Sequence, residues 1–101
     1  MKRVKHVVDG AGAHYGYWFN CPGCGDPHVI PTLPNERGWA FMGDEETPTF
    51  EPSILVHETS VTPRCHSFVR AGRIEFLSDS THALAGQTVD LPEIPTMAER
   101  V

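Results

Sequence analysis

The sequence predicts an all-β fold, a small β-rich single domain, and three observations carry that prediction. Runs rich in β-branched and aromatic residues are all short, nine Gly and nine Pro interrupt them, and one segment reads as a complete hairpin. A chain of 101 residues with 40% hydrophobic content matches one globular domain. That domain is taken as residues 1–101, with a core over about 4–92 and a loose C-terminal tail over 93–101, where Pro92, Pro95 and a polar end follow the last apolar run.

The elements follow in chain order. Val4-Lys5-His6-Val7-Val8 and Tyr15-Gly16-Tyr17-Trp18-Phe19 read as strands closed by Asp, Gly or Asn. His28-Val29-Ile30, Trp39-Ala40-Phe41-Met42 and Ser53-Ile54-Leu55-Val56-His57 are further short strands. From His66 to Leu77 the chain can form two strands around a two-residue Ala71-Gly72 turn. That register sets Val69 opposite Ile74 and Cys65 opposite Ser78. A period of two then places Cys65, Ser67 and Val69 on one face, and His66 and Phe68 on the other beside Leu77 and Asp79. Asp79 to Gly86 predicts one short helical turn, capped by Asp79 or Ser80 and ended by Gly86. Val89-Asp90-Leu91 supplies a last strand.

Charge and hydropathy exclude some function classes. A net charge of −5 with scattered Lys and Arg argues against general nucleic-acid binding. No run approaches the roughly 18 apolar residues of a membrane span, and Asp9 and Gly10 follow the basic start before any signal-like apolar stretch can form. The expected localisation is the cytoplasm, or the host cytoplasm if the chain is phage-encoded. In that reducing setting the three cysteines are better suited to metal or redox chemistry than to disulfides.

Cys21-Pro22-Gly23-Cys24-Gly25 has the form of a zinc knuckle, in which a tight turn presents two thiolates two residues apart on one edge of a tetrahedral ion. A redox dithiol of the thioredoxin type needs a helix after its first cysteine, and Pro22 and Gly23 oppose one. Zinc (Zn2+) is therefore the expected cofactor, in a zinc-ribbon-like construction. Cys65 is the third ligand in this reading, against the alternative of a buried free thiol. For the fourth ligand the order is His82, then His66, then His28. His82 follows a strand running alongside Cys65, His66 points away from Cys65 in a regular strand, and His28 must fold back onto the knuckle. His6, His14 and His57 read as surface or core histidines.

Two metalloenzyme patterns are absent. No His-x-Glu precedes the cysteine pair as in zinc deaminases, and His57-Glu58 lacks the second histidine of a zincin helix. A catalytic reading survives around Cys65, with His66 or Asp79 as proton acceptor for a metal-bound water. Against it stands a closed structural zinc, with Asp79 and Ser80 only capping a turn. The acidic stretch Gly43 to Thr47, followed by Pro48-Thr49-Phe50-Glu51-Pro52, reads as a solvated turn or as a docking surface for a protein partner.

The segments FNCPGCGDPHVIP, GWAFMG, PTFEPSILV, CHSFV and RIEFLSDSTHALAGQTVDLP together resemble a family of small uncharacterised bacterial and phage zinc-binding proteins. Its pattern is CPxCG…H, PT-x-x-PS, CHSF and DxTHxLxGxTVxLP. The resemblance runs from Phe19 to Pro92. It implies a cytosolic zinc-binding protein of phage or mobile-element origin, in some cases a companion of bacterial ubiquitin-like conjugation genes. Members often carry Cys where this chain has Ser80, which favours a site built from Cys21, Cys24, Cys65 and a histidine. The expected function is an accessory or interaction module with structural zinc and a protein partner; the alternative is a zinc-dependent hydrolase.

Overall fold

The computed structural model describes residues 1–94. Among them the architecture is all-β, with eight strands and no helix: β1 (Lys5–Val8), β2 (His14–Asn20), β3 (Pro27–Pro31), β4 (Ala40–Met42), β5 (Thr49–Val56), β6 (Cys65–Arg70), β7 (Arg73–Phe76) and β8 (Thr88–Asp90). They form a three-stranded sheet in the order β1-β2-β3 and a five-stranded sheet in the order β4-β5-β6-β7-β8, every pairing antiparallel between chain neighbours. Such a meander needs only short connections, which the frequent Gly and Pro breaks provide.

Alternation sets the faces of the central strand. In β6 Cys65, Ser67 and Val69 are buried, while His66 and Phe68 are half-buried and Arg70 is exposed on the other face. The β6–β7 hairpin has the expected register, with Val69 opposite Ile74 and Arg70 opposite Arg73. Ala71 (φ 51) and Gly72 (φ 80) both occupy the left-handed region, as the tight primed turn of a twisted hairpin requires. Ladder pairing ends at Ser67 opposite Phe76, short of the expected Cys65–Ser78 pair.

Aromatic rings join the two sheets. Phe19 and Phe50 are fully buried with centroids 6.1 Å apart, and Tyr17 stacks on Phe41 at 4.1 Å. Val69, Ile74, Phe76 and Leu91 extend the core along the five-stranded sheet. Burying rings of this size contributes about 1.5–3 kcal/mol each. Ile94 is also buried and its N–H donates to the Lys2 carbonyl, so the chain is still tied to the fold beyond Pro92. The remainder of the expected tail, from residue 95, lies outside the described residues.

The expected helical turn over residues 79–86 is a succession of tight turns. Its amides are used elsewhere: Thr81 N–H donates to Arg64 O, and Gly86 N–H to Phe76 O. Within the segment Ala85 bonds only three residues back, to His82 O. With the amides committed to neighbouring strands, the four-residue bonding of an α-helix does not form.

Candidate functional site: a cysteine–histidine cluster beside a Ser–His–Asp group

The knuckle occupies the β2–β3 connection. Cys21 N–H donates to Asp26 O and Gly25 N–H to Cys21 O, and Gly25 takes a left-handed conformation (φ 77), so the chain reverses tightly around the cysteines. β3 then returns alongside β2 and sets His28 opposite Phe19. From the other sheet, buried Cys65 opens β6. One ligand atom from each of Cys21, Cys24, His28 and Cys65 lies within 4.8 Å of all the others.

The donor set fits zinc. Cys21 Sγ and Cys65 Sγ are 3.7 Å apart, and a tetrahedral ion with Zn–S bonds near 2.3 Å separates its sulfurs by about 3.8 Å. His28 Nε2 is buried without a hydrogen-bond partner, a condition that costs free energy unless something satisfies the nitrogen. The thiols also favour a cation. The contact with Cys65 draws Cys21 down to about 4 against the effect of burial. That same contact, with burial, pushes Cys65 far up, and burial followed by the charge of Cys21 raises Cys24 to about 11. Three ionised sulfurs in this volume need a positive ion among them.

Of the histidines ranked for the fourth position, His28 is the one the structure places in this cluster. His82, ranked first, lies outside it: its ring stands edge-on to Phe76 at 4.5 Å, and Nδ1 accepts from Leu84 N–H. A Cβ on Gly23 would come within 2.4 Å of His82 Nε2, so this ring covers the back of the knuckle. Its Nε2 is buried and unpartnered too, without belonging to the donor group. His66 points to the opposite face of β6, as its alternation requires.

On that face His66 has two partners. Its Nδ1 lies 3.2 Å from both carboxylate oxygens of Asp79, and its Nε2 lies 3.2 Å from Ser53 Oγ. A carboxylate only accepts, so Nδ1 is the donor to Asp79, and in the neutral imidazole Nε2 is left to accept from the Ser53 hydroxyl. Ser53 stands on β5 beside a bulge between Phe50 and Ile54, and Leu55 pairs with His66. The indole Nε1–H of Trp39 donates to the Ser53 carbonyl at 3.2 Å.

Beyond β7 the chain continues along β6 and holds the histidine. Leu77 N–H donates to the His66 carbonyl at 2.8 Å. Ser80 Oγ donates to that same carbonyl at 3.1 Å and accepts His66 N–H at 3.0 Å. Ser80, 7% exposed, therefore clamps the main chain of His66 while Asp79 beside it reaches the ring. This is a larger part than the turn cap expected for either residue.

Sequence reasoning singled out His66 and Asp79 and passed over Ser53. Local sequence offered one signal: in a strand from residue 53 to 57, Ser53 and Leu55 share a face. Turning that into a contact with His66 requires knowing that β5 and β6 are neighbours.

No helix among the described residues is long and apolar enough to cross a membrane. No curated protein and no solved structure matches the chain. One family model matches residues 1–77, which takes in the knuckle, Ser53, Cys65 and His66 and stops two residues before Asp79. The bacterial, ubiquitination-like setting of that family agrees with part of what the motif resemblance implied. On this match the chain belongs to the family described as bacterial ubiquitination-like system serine protease (BubE).

Proposed function

We propose that this protein is a serine hydrolase of the peptidase type, acting in a ubiquitination-like system, with Ser53 as nucleophile, His66 as general base and Asp79 as the residue that orients the base. The observation that carries the reading is the chain of contacts from Ser53 Oγ to His66 Nε2 and from His66 Nδ1 to Asp79. Separations of 3.2 Å lie within reach of proton transfer. The roles are recognised by geometry, and the chain order Ser, His, Asp is no obstacle, because the same constellation occurs in several orders.

In the mechanism, Ser53 Oγ attacks the scissile carbonyl while its proton passes to His66 Nε2. Asp79 holds Nδ1–H and stabilises the imidazolium that forms. The proton then moves from Nε2 to the leaving amine, the carbon–nitrogen bond breaks, and an ester to Ser53 remains. Water, deprotonated by the same nitrogen, hydrolyses that ester and restores the hydroxyl.

Cys21, Cys24, His28 and Cys65 would hold a zinc ion, whose contribution is a fixed tetrahedral cross-link of the Cys3His type. Four protein donors favour a closed structural site. Both ring nitrogens of His66 face Asp79 and Ser53, so the alternative of a metal-bound water with His66 or Asp79 as acceptor loses its free base. The cross-link ties the β2–β3 turn to Cys65, the residue before the base, and so fixes where β6 begins.

Inhibitor class tests this assignment. Metal-loaded protein should hydrolyse p-nitrophenyl esters or fusions carrying a peptide bond after a ubiquitin-like domain, and one equivalent of a fluorophosphonate should stop that activity. Hydrolysis that resists the fluorophosphonate would overturn the serine assignment.

A further inference from the structure

The face of the five-stranded sheet that carries Ser53 and His66 continues past them. Phe68 and Arg70 follow His66 at alternate positions of β6. The register places Glu75 beside Phe68, Arg73 beside Arg70 and Thr88 beside Glu75. Together these five side chains line a depression of about 200 Å³. A larger cleft of about 420 Å³, lined by His6, Tyr17, Phe41, Gly43, Asp44 and Glu45, includes no member of the Ser–His–Asp group. The carboxylates of that cleft are also engaged, Asp44 with the amides of Glu46 and Thr47 and Glu45 with Lys2.

The smaller depression has a distinct chemistry. Two guanidinium groups face one carboxylate across it, on a chain whose net charge is −5. The Arg70 guanidinium lies 4.2 Å over the Phe68 ring centroid, so the aromatic face holds that cation in place beside the depression. Arg70 meets Glu75 only at 3.7 Å, and Arg73 meets Asp90 at 3.3 Å; both arginine side chains are more than half exposed. Exposed pairs of this kind are weak and exchange readily for a better-placed carboxylate.

We propose, resting on the serine hydrolase reading, that this depression is a substrate subsite for an acidic side chain of the peptide. The acidic carboxylate pairs with Arg73 and with the guanidinium that Arg70 holds over Phe68. Alternate residues of a strand are about 7 Å apart, so Phe68 and Arg70 lie about 7 and 13 Å along the strand from His66. An extended peptide covers the same span in about two to four residues. The acidic residue therefore stands two to four positions from the scissile bond. Glu75 competes for Arg70 and moderates the selection.

The test uses internally quenched alanine-based peptides with a single Glu or Lys scanned over four positions on either side of one cleavable bond. Wild-type protein should show kcat/KM about tenfold higher for Glu than for Lys at one position two to four residues from the bond. R70E/R73E should reverse that preference, R70Q should reduce it, and E75Q should increase it. All three variants should keep the wild-type melting temperature and rate of fluorophosphonate labelling, since the altered side chains are exposed. An unchanged Glu-to-Lys ratio in R70E/R73E and R70Q, with labelling intact, would overturn the subsite alone. Failure of the wild-type protein to label would instead overturn the serine hydrolase reading, and the subsite with it.

Discussion

Ser53→Ala is expected to lower kcat by about 10⁴-fold or more while leaving KM and the melting temperature near wild type. The substitution removes the nucleophile's oxygen and nothing that supports the core: among the described residues, the hydroxyl contacts His66 Nε2, and the Trp39 bond goes to the main-chain carbonyl of Ser53. His66→Ala should cost a similar factor, because Ser53 then keeps its proton. Asp79→Asn should also reduce kcat strongly, since an amide that turns its NH2 toward Nδ1 favours the tautomer in which Nε2 carries the proton. Combining Ser53→Ala with either change should add little, as expected of groups that act as one unit. Steady-state kinetics on one ester and one peptide substrate measure all of this. Retention of more than a tenth of wild-type kcat by Ser53→Ala would contradict the mechanism.

Loss of the metal should have the largest effect on stability. Cys65→Ser removes a donor from the cluster that joins the β2–β3 turn to β6. Metal binding by small Cys–His sites supplies roughly 10–16 kcal/mol at neutral pH, comparable with the whole stability of a domain. Wild-type protein should carry one zinc per chain by elemental analysis. Cys65→Ser, Cys24→Ser and His28→Ala should each lose it and melt far lower, whereas His82→Ala should keep it. Zinc retained by His28→Ala and lost from His82→Ala would make His82 the ligand, as its place in the sequence first suggested. Activity should fall with the metal, because Cys65 and His66 are consecutive on β6 and the base moves with the strand.

Most strands were legible because each is a short apolar run between breaks. β5 is the exception, since it starts at Thr49 inside the stretch read as a solvated turn or docking surface, and its Phe50 is buried in the core. The hairpin register followed from Ala71-Gly72 alone. That register also put His66 and Asp79 on one face, where the structure has them in contact. Non-local information was the missing part. Ser53 meets His66 only through the pairing of β5 with β6, across a bulge that no local pattern specifies. His28 was ranked last because a histidine four residues past the knuckle has to fold back to reach it. The β2–β3 hairpin is that reversal, and it arises from treating Tyr15–Phe19 and His28–Ile30 as partners. The helical turn failed for a related reason. Asp79, Ser80, Ala83, Leu84 and Gly86 suit a capped helix in isolation, but Ser80 and Thr81 spend their hydrogen bonds on His66 and Arg64.

The proposed mechanism requires that one serine among those of the chain is activated by His66 and Asp79. Tandem mass spectrometry of the metal-loaded protein after reaction with a fluorophosphonate tests it most directly. A single adduct is expected, on the peptide containing Ser53, and it disappears in His66→Ala. An adduct on any other residue, or one at Ser53 that forms equally fast without His66, would contradict it.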